Sequence, residues 1–282
     1  MSFSFCVLGS GSKGNSTLLV LEEAGAEHYL LIDCGLSPRA TARRLAPLGV
    51  SLDQISDIIL THLDWDHFYS GWVKQIEKLG ITVHVHRRHR SAALRQDLDG
   101  RHMDLFDDAF SLFNSVSVQP FLFAHDELGT AGFIIEHSNR RLGYATDLGR
   151  VPQLMLDNFV NLHAVALESN YDPAMQLGSS RPPFLKRRIM GGLGHLSNEE
   201  SFEAVQHIAG QSDLAHIVPL HLSRQCNDPR LVKGLYADRM PDLLGRLTMS
   251  NQNISTPLLQ VQSDAGLVQV ERLRPGQQAA MF

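Results

Sequence analysis

Thiols are scarce in this chain. Its three cysteines, Cys6, Cys34 and Cys226, are odd in number and show no CxxC spacing, which excludes a disulfide framework and a thiolate zinc finger. The amino-terminal Met1-Ser2-Phe3-Ser4-Phe5 lacks a basic region, and no run approaches the roughly 18 apolar residues that span a bilayer. The expectation is a cytoplasmic protein with reduced thiols and no membrane partner. Positive charge is in deficit: 25 lysines and arginines against 30 acidic residues give −5, which excludes holding nucleic acid by bulk charge and leaves room for a local basic patch. Also missing are a Pro/Ser-rich linker, an internal repeat and a low-complexity stretch. With 43% hydrophobic residues the chain can fill a large core, and 1–282 reads as one domain. What it has in quantity is histidine, 14 residues, which directs attention to metal-ligand spacing.

The first 35 residues predict three strands, Phe3 to Leu8, Thr17 to Glu22 and His28 to Asp33, separated by Gly-rich turns. Ser37-Pro38 opens a helix to about Leu48, Asp57 to Thr61 is a buried strand, His67 to Leu79 a helix and Ile81 to His86 a strand. Residues Phe110 to Ala145 are strand-like, and helices are expected near Pro152 to Asn158, Phe184 to Met190 and Asn198 to Ala209. Val165 to Leu167 and His216 to Leu220 are short apolar strands ending on polar residues, where open α/β sheets place their chemistry. The tail from about Leu258 suggests two further strands around Ser263-Asp264-Ala265-Gly266. The sum is a mixed α/β (α+β) chain with two sets of strands.

The chemistry concentrates where the strand Asp57-Ile58-Ile59-Leu60 runs into Thr61-His62-Leu63-Asp64-Trp65-Asp66-His67, which packs four possible ligands into six residues. In an extended turn His62 and Asp64 project to one side, while Asp66 and His67 fall at the start of the next helix and can face a second ion. His125, Asp147 and His221 each follow a strand. The competing reading makes His62 and His67 a cap and a core histidine beside carboxylates that favour a helix N-terminus.

This His-x-Asp-x-Asp-His motif, followed by His, Asp and His, resembles the metallo-β-lactamase superfamily. The resemblance implies a four-layer αββα sandwich with one or two metals. By position, His62, Asp64, His125 and Asp147 would bind one divalent ion, and Asp66, His67, Asp147 and His221 the other, with Asp147 bridging. Such a pair of ions would activate a shared hydroxide for attack on phosphorus. The commonest family form has His at position 64. The Asp found here adds a hard oxygen ligand and moves the expected metal from Zn2+ toward Mn2+.

Leu167-Glu168-Ser169-Asn170-Tyr171-Asp172, Pro183-Phe184-Leu185-Lys186-Arg187-Arg188-Ile189 and Gly194-His195-Leu196-Ser197-Asn198 add a narrower likeness. With Leu8 to Ser16 and Leu31-Ile32-Asp33-Cys34-Gly35, they resemble the YycJ (WalJ) family over about Leu8 to Pro229. That resemblance implies 5′-to-3′ exonuclease action on DNA. Glu168 and His195 also resemble the carboxylate and histidine of two motifs in β-CASP nucleases such as RNase J, where the histidine faces the scissile phosphate. Only 26 residues separate them here, too few for a β-CASP cap. A competing reading places His195 merely in a helix N-terminal turn, with Ser197 as N-cap and Glu200 completing a capping box.

Lesser signals are Gly9-Ser10-Gly11-Ser12-Lys13-Gly14, which fails as a Walker A loop because the lysine precedes the last glycine. Asn15 and Ser16 beside it are candidate phosphate donors. His84-Val85-His86-Arg87-Arg88-His89-Arg90 reads as a solvated strand end without a carboxylate. Its arginines, with Arg181, Lys186, Arg187 and Arg188, could supply positive surface for a phosphate backbone, and Lys186 and Arg187 are the chosen substrate contacts. Trp65 and Tyr171 are assigned to core packing rather than base stacking. The resulting expectation is a dinuclear metal-dependent phosphodiesterase acting on DNA, with Asp66, Glu168 and His195 catalytic. The alternative is hydrolysis of a small phosphodiester or of a carboxylic ester, thioester or lactam.

Overall fold

The structure is a computed structural model and describes residues 2–262. Six strands in succession, β1 (Phe3–Gly9), β2 (Ser16–Glu23), β3 (Ala26–Ile32), β4 (Ile55–Ile59), β5 (Thr82–His86) and β6 (Met103–Phe106), form one sheet. Six more form the other: β7 (Phe110–Leu112), β8 (Val116–Phe123), β9 (Thr130–His137), β10 (Arg140–Ala145), β11 (Ala164–Glu168) and β12 (His216–Leu220). A short β13 (Leu259–Gln260) joins the first sheet beside β1, which realises the start of the expected tail pair. The expected turn Ser263-Asp264-Ala265-Gly266 lies outside the described residues.

Alternation along the strands makes the layers. In β1, Phe3, Phe5 and Val7 point between the sheets, where they meet Phe133, Ile135, Tyr144, Ala166 and Val218 of the second sheet. The intervening Cys6 and Leu8 face outward with Leu31, Ile58 and Val83, under Leu45 of α1 (Pro38–Leu45) and Ile76 of α2 (Val73–Leu79). The second sheet's outer residues, Ile134, Val165, Leu167 and Ile217, are covered by two further helices. These are α4 (Gln153–Asn158) through Met155 and α7 (Asn198–Ala209) through Phe202, Val205 and Ile208. Strands buried on both faces read as nearly continuous apolar runs, as β1 and β11 do. The order helix, sheet, sheet, helix is the expected αββα sandwich.

Each sheet changes from antiparallel to parallel pairing partway across. β3, β4, β5 and β6 run parallel, as do β10, β11 and β12, so several strand carboxyl ends meet at one rim between the sheets. Helices α3 (Arg90–Arg95), α5 (Pro173–Gly178), α6 (Pro183–Arg188) and α8 (Pro229–Arg239) complete the set, three of them absent from the sequence reading.

Two expectations need correction. The helix predicted from His67 begins only at Val73, after a 3₁₀ turn at Ser70–Trp72. The backbone of His67 and Tyr69 is committed to Cys34 instead: Cys34 N donates to His67 O at 2.8 Å and Tyr69 N to Cys34 O at 3.0 Å. His84 and His86 are buried, not a solvated strand end, and His84 Nε2 lies 2.8 Å from a carboxylate oxygen of Asp57 on the adjoining strand.

The capping box at the start of α7 is present. Ser197 Oγ accepts from Glu200 N at 3.2 Å and Glu200 Oε2 accepts from Ser197 N at 2.8 Å. Ser197→Ala should therefore lower the unfolding free energy by about 1 kcal/mol. Urea titration checks this as a lower midpoint with an unchanged slope.

Candidate metal centre

The loop after β4 is held from behind before it presents anything. Asp33, fully buried at the end of β3, accepts from Thr61 N at 2.8 Å and lies 2.7 Å from His67 Nδ1 through Oδ2. Burial pushes its carboxyl pKa up, and the His67 charge beside it offsets part of that. With Nδ1 donated backward, His67 Nε2 points forward to Asp147 Oδ2 at 2.9 Å. Thr61 Oγ1 braces His62 Nδ1 at 3.0 Å in the same way.

Asp66 is positioned by its backbone. Asn15 N donates to Asp66 O at 2.7 Å, and Gly35 N donates to Asn15 O at 2.9 Å. A Cβ on Gly35 would lie 1.8 Å from Asp66 O, so only glycine permits this approach.

The remaining candidates arrive from other strand ends. His125 follows β8 and its Nδ1 is 3.0 Å from Gly194 O. Asp147 follows β10, and His221 follows β12 with its backbone N donating to Ser10 Oγ at 2.8 Å. His221 Nδ1 lies 3.0 Å from Asp147 Oδ1. The potential ligand atoms fall into four overlapping groups, each within 4.8 Å: His62, Asp64 and His125; His62, His67 and Asp147; Asp66, His67 and His221; and Asp147, Glu168, His195 and His221. All seven metal candidates of the sequence reading are thus brought together, with Asp147 between the two outer groups.

These groups suit cations. The Nε2 of His221 is buried without a hydrogen-bond partner and faces Asp66 Oδ2 at 3.4 Å. His62 Nε2 faces Asp64 Oδ2 at 3.9 Å. Donors about 2.0–2.2 Å from one tetrahedral ion stand roughly 3.4 Å apart, so such separations suit a shared ion better than a direct hydrogen bond. Burial, with His67 nearby, holds His62 well below the ordinary histidine pKa, in the neutral form a ligand requires. Burial opposes charge on His67 and His221 too, but their carboxylate neighbours together, Asp147 and Asp33 for His67 and Asp147, Asp66 and Glu168 for His221, raise both pKa values well above the ordinary value. Asp147 is correspondingly lowered, its burial outweighed by His221 and His67.

Beside the metal candidates, Glu168 closes β11 and is completely buried. Its Oε2 accepts from Leu148 N at 2.7 Å and its Oε1 lies 2.7 Å from His195 Nδ1. The capping box and this pair coexist, so His195 is more than a turn residue. A Cβ on Gly194 would meet Ile189 Cα at 2.5 Å, which keeps the segment that carries His195 and braces His125 tight against the preceding turn. His195 borders a cavity of about 410 Å³ whose wall also includes Asp64, Asp66, Asp147, Arg181 and Arg188.

Other expected contacts are placed differently. Lys186 Nζ donates to Leu177 O at 2.6 Å and Arg187 is exposed, and neither borders this cavity. Asn15 and Ser16 are buried, Asn15 being spent on Gly11 N, Asp66 O and the loop. Trp65 is 64% exposed and lines the cavity together with its neighbours Asp64 and Asp66, contrary to core packing, because the ligand loop runs along the open side of the site. Tyr171 is buried as expected. Asp33 and Thr61 were not assigned from the sequence, although an acidic residue closing an apolar strand in Leu31-Ile32-Asp33-Cys34-Gly35 was the available signal.

Two substitutions test the bracing. Asp33→Asn should weaken metal binding by about 10–100-fold while the chain stays folded, measured by calorimetric titration with Mn2+ or Zn2+ and by circular dichroism. Gly35→Ala should displace Asp66 and lower metal stoichiometry, read by elemental analysis after gel filtration.

Residues 28–221 match the Beta-lactamase superfamily domain. The chain is 29% identical over 238 residues to Exodeoxyribonuclease YycJ of Bacillus anthracis, covering 83% of this chain and 87% of that protein. It is 26% identical over 232 residues to Exodeoxyribonuclease WalJ of Streptococcus pneumoniae, covering 80% and 84%. The fold is similar to that of the metallo-beta-lactamase fold protein YhfI from Bacillus subtilis, with a TM-score of 0.66 at 13% identity over 90% of this chain and 99% of that one. The chain therefore belongs to the beta-lactamase superfamily, as a YycJ-like member with the metallo-β-lactamase fold, and is a metal-dependent hydrolase.

Proposed function

We propose that the chain is a dinuclear phosphodiesterase that degrades DNA as a 5′-to-3′ exonuclease in the cytoplasm. His62, Asp64 and His125 would hold one divalent ion, Mn2+ or Zn2+, and Asp66, His67 and His221 the other, with Asp147 shared. When bound, the ions supply Lewis acidity toward phosphoryl oxygens and lower the pKa of water.

The observation that carries the phosphodiester reading is the Glu168–His195 pair at 2.7 Å, beside Asp147, with the buried carboxylate behind and the His195 ring on the cavity wall. A carboxylate on Nδ1 fixes the ring and leaves Nε2 for the substrate. That nitrogen can hold a phosphate oxygen or deliver a proton to the leaving alkoxide. Arg188 on the same wall adds positive charge where a phosphate would sit. Asp66 is positioned by Gly35 and Asn15 to serve the reacting centre. Two relatives bear the name exodeoxyribonuclease, which supports DNA as the substrate.

Digestion of 5′- and 3′-end-labelled linear duplex DNA by metal-stripped protein reloaded with Mn2+ or Zn2+ tests this. Release of mononucleotides or short oligomers from the 5′ end is expected. Asp66→Ala and His195→Ala should each lose at least about a hundredfold in rate, the latter with metal content intact. Intact DNA beside hydrolysis of bis-nitrophenyl phosphate, a thioester or a lactam would move the reading to a small-molecule hydrolase.

A further inference from the structure

A second cavity of about 410 Å³ adjoins the first and shares Ser12, Arg181 and Gln225 with it. Lys13, Ser223 and Arg224 complete its wall, so it presents three cations and no carboxylate. This contrasts with a chain whose net charge is −5 and with the first cavity, which exposes Asp64, Asp66 and Asp147.

The charges are also uncompensated. Among the described residues, Lys13, Arg181 and Arg224 form no ion pair within 4.0 Å. Arg181 is fixed by neutral acceptors alone, with Nη1 donating to Gln176 Oε1 at 3.1 Å, Nη2 to Ser223 Oγ at 3.2 Å and Nε to Gln225 Oε1 at 3.4 Å. Gln176 is itself buried, so the anchor is rigid. A guanidinium has five N–H donors, and these bonds leave two unused along with the full charge. A pre-positioned arginine without a carboxylate partner, sharing a cavity wall with two exposed cations, is an arrangement that a tetrahedral oxyanion can fill at little ordering cost.

We propose that this second cavity is a phosphate subsite, in which Lys13, Arg181 and Arg224 hold the phosphate of the substrate strand next to the one in the reaction cavity. The inference rests on the DNA reading above. Arg181, on both walls, then links the two phosphates and helps set how the strand enters.

The probe is a fluorescein-labelled, single-stranded phosphorothioate oligonucleotide bound to metal-loaded protein and followed by anisotropy across a salt series. The double variant Lys13→Ala/Arg224→Ala should bind about tenfold or more weakly, with a log Kd against log salt slope shallower by about 0.7 for each charge removed. Lys13→Arg/Arg224→Lys should restore both, and equal thermal midpoints exclude misfolding. A double variant with wild-type affinity and slope, or wild-type protein that does not bind, overturns the subsite. Comparing 5′-phosphorylated with 5′-hydroxyl oligonucleotides identifies the group held. A loss equal on both assigns an internal phosphodiester, and a loss confined to the phosphorylated strand assigns a terminal phosphate. Failure of the DNA reading shows separately, as wild-type protein that binds the probe yet leaves a cleavable strand intact.

Discussion

Asp147 is 2% exposed, and its two oxygens lie 2.9 and 3.0 Å from ring nitrogens of His67 and His221. An isolated carboxylate at that depth would cost several kcal/mol, so the surrounding architecture has to supply positive charge there. The two histidines beside it answer that demand: burial works against charge on their rings, yet the neighbouring carboxylates shift both pKa values upward. A divalent ion on each side can do the same, with the displaced protons leaving as it binds. The β10–β11–β12 parallel run delivers Asp147, Glu168 and His221 to one rim, and β4 delivers His62 to His67 opposite.

That rim is held in a backbone conformation the chain would otherwise avoid. Asp33, Asp147 and His221 all adopt left-handed φ, at 59°, 55° and 54°. Aspartate tolerates this better than histidine, and each such residue costs of order 1–3 kcal/mol. The two sheets and their helix layers offset this by burying Phe3, Phe5, Phe133, Tyr144 and Phe202 almost completely. Within this rim the carboxylate–imidazole contacts of Asp147 and Asp33 coexist with a buried His221 Nε2 that has no hydrogen-bond partner and faces Asp66, a donor left for an ion.

The sequence made legible whatever depends on local spacing. Alternation in β1 to β3, the ligand run from His62 to His67, and the strand-end positions of His125, Asp147 and His221 could all be read from residue order. What escaped depends on partners far along the chain. Cys34 pairs with Phe68 and takes the backbone that would have extended α2. His84 finds Asp57 only because β4 and β5 lie side by side. Lys186 and Arg187 belong to a basic run, with Arg181 and Arg188, that reads as positive surface for a phosphate backbone, and composition alone does not say which of the four faces the site. Helical rotation places Arg188 on the cavity wall in their stead, and the turn before α6 brings Arg181 there. Trp65 is the plainest case, since whether a loop aromatic is covered depends on what the rest of the chain packs over the loop, and nothing covers this one.

The most direct test is anomalous X-ray diffraction from crystals of the protein loaded with Mn2+. Two peaks are expected, one among His62, Asp64 and His125 and the other among Asp66, His67 and His221, with Asp147 contacting both. A single peak elsewhere, or two peaks whose positions and occupancies survive Asp147→Ala unchanged, would contradict a centre organised around that buried carboxylate.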